Sequence, residues 1–329
     1  MAPQTQIVGI GEVLMDVFPD GTATVGGAPF NVAFQAHRLL TASGRGTGTI
    51  VSALGEDEWG RKILAAVEAA GMSATHIATG APYPTGVANV FVSDGEAGYE
   101  IAPDQAWDHL AAGKGLDLLA GATAAVAFGS LGQRAAQARF TIQRFVSQVN
   151  GHRLYDVNLR QNSTDQVKGY NADILRESCE LATVVKCNSG ELEEMCDMLG
   201  LARVTPAVST SATGTVQQLE ASMEQLRSRY SLDVVVVTRG AQGALLRSST
   251  DTIRLQDSTL PLDAIHPVGA GDAFSAGLLY GLTQGCSLHD SALLADCLAS
   301  WVTGYASATP TLTPQILAKL RALEPCTGL

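Results

Sequence analysis

The stretch Pro267-Val268-Gly269-Ala270-Gly271-Asp272-Ala273-Phe274-Ser275 runs a glycine-flanked turn into an apolar helical pattern: Ala273, Phe274, Ala276, Leu278, Leu279 and Leu282. Such a turn directs consecutive backbone N–H groups outward at the positive end of a helix, which makes an anion site. Asp272 stands at its mouth. A carboxylate repels an anion, so its presence there fits a base that takes a proton from a hydroxyl attacking an amide-held phosphoryl group. The same residues also describe an ordinary helix N-terminus with an acid near its cap.

Residues of this kind must be brought together by strands that end in one place. Ile7-Val8-Gly9-Ile10-Gly11 is a short apolar strand, and Glu12–Phe18 alternates until the turn Pro19-Asp20-Gly21. Gly26-Gly27-Ala28-Pro29 opens a helix through Leu40, with Pro near its start. Thr49–Leu54 reads as a strand, and Trp59–Ala70 as a helix closed by Gly71. From Ala122 onward strands are expected at Ala125–Phe128, Arg153–Val157, Thr183–Lys186 and Asp233–Thr238, with helices between them. The valine run at 234–237 is typical of a strand buried on both faces. Residues 202–216 read as a loop, and the last helices as Leu288–Ala306 and Thr313–Leu323.

Between Pro82 and Trp107 the rhythm breaks. Thr85–Val92 and Gly98–Ile101 read as a hairpin outside the main sheet, and with Val13–Phe18 they make a small second sheet, a lid. The expected fold is α/β: a doubly wound, mostly parallel sheet with helices on both faces. A single domain over residues 1–329 carries a discontinuous β-sheet lid from segments at about 12–25 and 83–106. Ligands of such sheets lie at the carboxyl ends of the strands. Asp16, Asn158, Asn188, Gly240 and Asp272 all fall there, so they can converge on one edge.

Composition narrows the chemistry. With 46% hydrophobic and 16% charged residues the chain is globular rather than disordered. A formal net charge of −11 disfavours nucleic acid and anionic membrane surfaces as partners. The opening MAPQTQIVGIGE has no secretory signature, and no apolar run is long enough for a membrane span. The six cysteines form no CxxC pair, so free thiols in a reducing cytoplasm are expected, and the six scattered histidines suggest no zinc site. No GxxxxGK[ST] occurs, and Gly9-Ile10-Gly11 continues as Glu12-Val13-Leu14, which argues against a P-loop NTPase or a Rossmann dehydrogenase.

Gly269-Ala270-Gly271-Asp272 and the Gly26-Gly27 motif resemble the two signatures of the ribokinase-like (PfkB) carbohydrate kinases. Leu54-Gly55-Glu56-Asp57-Glu58-Trp59-Gly60, Pro84-Thr85-Gly86, Tyr99, Ala106-Trp107-Asp108 and Asp156-Val157-Asn158-Leu159-Arg160 look most like the fructokinase branch. The resemblance runs in order over nearly the whole chain. It implies ATP-dependent phosphorylation of a primary hydroxyl of a free sugar, with fructose the first candidate. Asp272 would be the base, and the amides of Gly269, Ala270 and Gly271 the anion hole. Asp16 is implied as a sugar-binding carboxylate, with Gly26, Gly27 and Asn31 beside it. A turn aspartate and a plain helix N-terminus are the competing accounts of those residues.

Asn188 and Glu191 match the family's Asn-x-x-Glu, implied to organise Mg²⁺ and phosphate with Glu191 acting through water; a helix first turn carries such a Glu as well. Thr238, Gly240 and Gly243 match the nucleotide-side turn, Arg160 is implied at phosphate or substrate, and Cys297–Thr303 at the adenine. One departure stands out. His266-Pro267 replaces the family's Asp-Thr, whose Asp accompanies a monovalent-cation (K⁺) site. A homodimer through the open face of the lid is also expected. Two rivals are a nucleoside kinase, with Phe18, Phe30 and Tyr99 walling a base, and a catalytically silent sugar- or nucleotide-binding regulator.

Overall fold

The computed structural model of the chain describes residues 4–93, 96–160, 168–202, 212–256 and 268–323. Its strands are β1 (Thr5–Ile10), β2 (Leu14–Val17), β3 (Ala23–Gly26), β4 (Gly46–Gly55), β5 (Ile77–Ala81), β6 (Gly86–Ser93), β7 (Glu96–Ile101), β8 (Ala125–Gly129), β9 (His152–Asp156), β10 (Val184–Asn188), β11 (Val234–Thr238), β12 (Ala244–Ser248) and β13 (Thr252–Leu255). Its helices are α1 (Ala28–Ser43), α2 (Glu58–Ala69), α3 (Lys114–Ala122), α4 (Ala136–Ser147), α5 (Ala172–Leu181), α6 (Ser189–Leu199), α7 (Ala212–Tyr230), α8 (Ala270–Thr283), α9 (Leu288–Val302) and α10 (Pro314–Ala322).

Nine strands form one sheet in the order β13-β12-β11-β10-β9-β8-β1-β4-β5. All neighbours from β11 to β5 run parallel, and β12 and β13 close one edge antiparallel. The chain starts at the centre, moves out to β5 and returns on the other side at β8. The switch point therefore lies between β1 and β8, with Glu12 just beyond the end of β1.

The alternation of side chains explains both covered faces. Val8, Ile10, Val126, Phe128, Val235 and Val237 pack against α3 to α7. Their neighbours Ile7, Ala125, Ala127, Val234 and Val236 pack against α1, α8, α9 and α10. A sheet with helices on both faces is thus what the sequence called for. The sequence pattern does not single out β5 or α3, and it covers β3 only as the end of the expected lid segment at about 12–25. Ala23-Thr24-Val25-Gly26 and Ile77-Ala78-Thr79-Gly80-Ala81 are too short and glycine-bound to stand out, and they form by pairing with β2 and β4.

The other four strands form a separate sheet in the order β3-β2-β6-β7. Its anchors are the motif segments that looked like fructokinase. Asp57 caps α2 by accepting from Gly60 N (2.8 Å), and its other oxygen accepts from Thr85 N (2.7 Å) at the entrance to β6. Gly86 lies directly on the buried Trp107 ring, where a Cβ would come within 1.9 Å of it. Asp108 holds Arg134 through two hydrogen bonds of 2.9 and 2.7 Å, and that guanidinium covers the face of Trp107.

The thiols depart from expectation. Cys179, Cys187, Cys196 and Cys297 are free, but Cys286 is disulfide-bonded, so the reading of every cysteine as a free thiol is corrected. Cys326, His266-Pro267 and residues 203–211 of the expected 202–216 loop lie outside the described residues, and the last part of that stretch is helix rather than loop, because α7 already begins at Ala212.

Candidate active site

Strand register brings the charges together. Asp156 on β9 pairs with Lys186 on β10, and Asn188 at the end of β10 pairs with Thr238 at the end of β11. One cleft of about 250 Å³ opens at this edge. From the expected residues Asp16, Gly27, Asn31, Arg160, Gly269, Gly271 and Asp272 all line it. Gly26 lies immediately behind Asp16, where a Cβ would strike the carboxylate at 2.1 Å. Ala270 begins α8 beside Gly269, while Asn188, Glu191, Thr238, Gly240 and Gly243 stand outside the cleft wall.

Two glycines shape this wall by backbone conformation. Gly27 caps α1 with φ +105°, and a Cβ there would meet Glu12 O at 2.5 Å. Gly269 caps α8 in the left-handed region at φ +82°, seated on Ala308, whose Cβ is 2.3 Å from where a side chain would start. Among the described residues no side chain caps α8, and Ala273 N–H to Gly269 O opens its hydrogen-bond ladder. The N–H groups ahead of that bond have no acceptor within the helix, an arrangement that can hold an anion. Asn158 adds a non-glycine residue at φ +38° to the same wall.

Asp272 accepts from Asn31 Nδ2 at 2.7 Å. Burial, then the nearby Asp156 carboxylate, pushes its pKa up to about 6, against the pull of Asn31, Lys186 and Arg160. Asp16 is raised to about 6 mainly by burial. Arg160 reaches over the Tyr99 ring of β7, 4.9 Å from its centroid, so the small sheet supplies one wall of the cleft.

Two groups in the cleft escaped the sequence reading. Glu12 is 2% exposed, its Oε2 has no hydrogen-bond partner among the described residues, and burial raises its pKa to about 7. Lys186 Nζ donates to Asp156 Oδ1 (3.0 Å) and Oδ2 (2.8 Å), and Ser275 Oγ donates to the same Oδ2 (2.8 Å). Burial alone would lower the Lys186 pKa, but Asp156 outweighs it and raises it. Their signal was in plain sight: Val-Val-Lys-Cys and Leu-Tyr-Asp-Val each put one charge into an apolar buried strand, which demands a partner.

Asn188 and Glu191 form a capping box at the start of α6: Asn188 Oδ1 accepts from Glu191 N (2.9 Å), and Glu191 Oε2 from Asn188 N (2.8 Å). Glu191 Oε1 accepts from Leu159 N (2.8 Å), which fixes the Asn158–Arg160 segment against this helix. Thr238 to Gly243 makes a tight turn, with Gly240 and Gly243 at φ +58° and +79°. A second cavity of about 540 Å³ lies between β13, α9 and α10; Cys297, Ser300 and Trp301 of the segment expected at the adenine line it.

Comparison with known proteins fits this geometry. The pattern of the pfkB family of carbohydrate kinases matches residues 5–315. Aminoimidazole riboside kinase of Salmonella typhimurium is 25% identical over 307 residues, 88% of this chain and 85% of the relative. Fructokinase of Klebsiella pneumoniae is 25% identical over 316 residues, 91% of this chain and 92% of the relative. Among solved structures, fructokinase with bound ATP from Xylella fastidiosa shares the fold with a TM-score of 0.76 at 22% identity, covering 97% of each chain. With a match that spans nearly all of the described sheet and both glycine signatures, the chain belongs to the pfkB family of carbohydrate kinases, phosphotransferases that act on an alcohol acceptor.

Proposed function

We propose that this chain transfers the terminal phosphoryl of ATP to a primary hydroxyl of a neutral free sugar, fructose or a related ketose. One observation carries the reading: Asp272, Gly269 and Gly271 at the start of α8, and Asp16 line one cleft. As the acceptor oxygen attacks the γ-phosphorus, Asp272 takes its proton, the bond to ADP breaks, and the amides of residues 269–271 stabilise the charge on the transferring group. The acceptor pocket suits hydroxyls. Asp16 and Glu12 offer hydrogen bonds, and their burial makes a second phosphate on the acceptor unwelcome. Arg160 reaches in from the side of Tyr99.

The nucleotide side is the turn Thr238–Gly243 with Asn188. Among the described residues no group of three or more His, Cys, Asp or Glu could hold a metal ion. Mg²⁺ would therefore come with the nucleotide phosphates, whose charge it neutralises. Glu191, whose oxygens already hold two backbone N–H groups, would reach such an ion through water. The four-stranded sheet acts as a lid on one ribokinase-like domain and excludes water from the reaction. The reading includes a cytoplasmic homodimer through the open face of this sheet, which sedimentation velocity tests.

A nucleoside acceptor fits less well. Of the three aromatic residues that could wall a base, Tyr99 lines the cleft, whereas Phe30 is buried in the core between α1 and α2. The test is ADP release with fructose, other free sugars, fructose 6-phosphate and adenosine as acceptors. Turnover on a free ketose supports the reading; turnover confined to adenosine or to the phosphorylated sugar overturns it. Sugar binding without turnover of any acceptor favours a silent regulator.

A further inference from the structure

On helix α1 the polar side chains Asn31, Gln35 and Arg38 stand at spacings of four and three residues, so they form one stripe along its length. All three donate to groups more than 240 positions away in the chain. Asn31 Nδ2 holds Asp272, Gln35 Nε2 donates to Ala308 O at 3.1 Å, and Arg38 Nη1 donates to Thr309 O at 2.7 Å and also to Pro310 O. Ala308 is the residue on which Gly269 rests. Three successive carbonyls of the segment behind the α8 turn are thereby tied to the helix whose first residues border the acceptor pocket.

We propose that Gln35 and Arg38 are positioning residues: they set the height of Ala308, and through it the Gly269 turn, against the Asp272 carboxylate that Asn31 orients. This rests on the reading of Asp272 as base and of residues 269–271 as the anion hole. The stripe has features that general core packing does not require. Gln35 is fully buried, yet its Oε1 has no partner among the described residues, so the side chain keeps a costly orphan acceptor in order to deliver one N–H to Ala308. Arg38 lies with its guanidinium 4.4 Å from the centroid of the Phe34 ring, which fixes the fork in the direction of the two carbonyls. A base and an anion hole that must act on the same phosphoryl tolerate little relative movement, since displacement by about 1 Å costs on the order of a hundredfold in rate.

The test separates positioning from stability. Gln35→Met keeps the shape, removes the bond to Ala308 O and also removes the orphan oxygen. It should lower kcat by about tenfold or more, with acceptor KM within about twofold and a melting temperature close to that of the parent, because loss of the orphan oxygen offsets the carbonyl left without its donor. Arg38→Met should lower kcat in the same way, and Arg38→Lys should recover part of the loss. A merely structural role moves kcat only with melting temperature or folded fraction, so wild-type kcat per folded molecule in both Met variants overturns the proposal. So does a rise in acceptor KM that accounts for the whole loss. Asp272→Asn assayed in parallel distinguishes the two levels. If it is inactive while the Met variants are fully active, only the stripe fails; if it is fully active, the site reading fails and the stripe with it.

Discussion

Replacing Glu12 by Gln should stabilise the protein, and more so as the pH rises. Glu12 is 2% exposed with one oxygen unpartnered among the described residues, and its pKa rises from an ordinary 4.5 to about 7. Burial is the largest cause; its own backbone N–H, Arg160 and Ala28 N–H work against it, and Asp272 works with it. The folded-state pKa lies above that of the unfolded chain, so the folded form keeps the proton longer. The cost of ionising Glu12 is therefore absent below about pH 4.5, grows as pH rises, and is complete above about pH 7. At 1.36 kcal/mol for each pKa unit, the cost is about 1 kcal/mol at pH 5 and about 3 kcal/mol at pH 8. Gln has no such cost and nearly the same shape. The advantage of Glu12→Gln should thus grow by about 2 kcal/mol between pH 5 and pH 8, or roughly 2–4 °C in melting temperature for a chain of this size. Urea unfolding of both proteins at the two pH values measures it. A stability difference that is the same at both pH values refutes the picture of a buried, desolvated carboxyl.

Three further outcomes follow from the same geometry. With Asp272 at a pKa of about 6 and acting as the base, kcat/KM should rise with pH through that region and level off above it; a profile flat from pH 5 to 8 contradicts the assignment. Gly269→Ala forces a side chain onto Ala308 at φ +82°, so it should lose about 2–4 kcal/mol of stability together with most activity, read by calorimetry and ADP release. Lys186→Met leaves Asp156 buried without its cation and should cost about 3–5 kcal/mol, whereas the double change Lys186→Met with Asp156→Leu should recover much of that; a single variant as stable as the parent argues against the buried pair.

How far the sequence disclosed this protein depends on whether the signal was local. The parallel sheet was legible because Val234–Val237 and Ala125–Phe128 are apolar on both faces, a pattern that only strands covered on two sides sustain. The turn at Gly269–Asp272 was legible because glycine and acid stand side by side in the chain. Glu12 looked like part of an alternating strand, and only the fold reveals that it lines the same cleft as Asp272. The pair Asp156–Lys186 is 30 residues apart and becomes a pair through strand register. Asn188 and Glu191 show the reverse case: their spacing matched both a capping box and a family motif, and the local hydrogen bonds form the box. The stripe on α1 reaches residues more than 240 positions away, beyond any local pattern.

The central claim is that Asp272 removes the proton from the acceptor hydroxyl in a cleft that also cradles the phosphoryl group. Coupled measurement of ADP release by Asp272→Asn, with folding checked by circular dichroism and sugar affinity by calorimetry, tests it most directly. The account predicts a loss in kcat on the order of a thousandfold with the fold and sugar affinity retained. A well-folded Asp272→Asn enzyme working within a few-fold of the parent rate would contradict it.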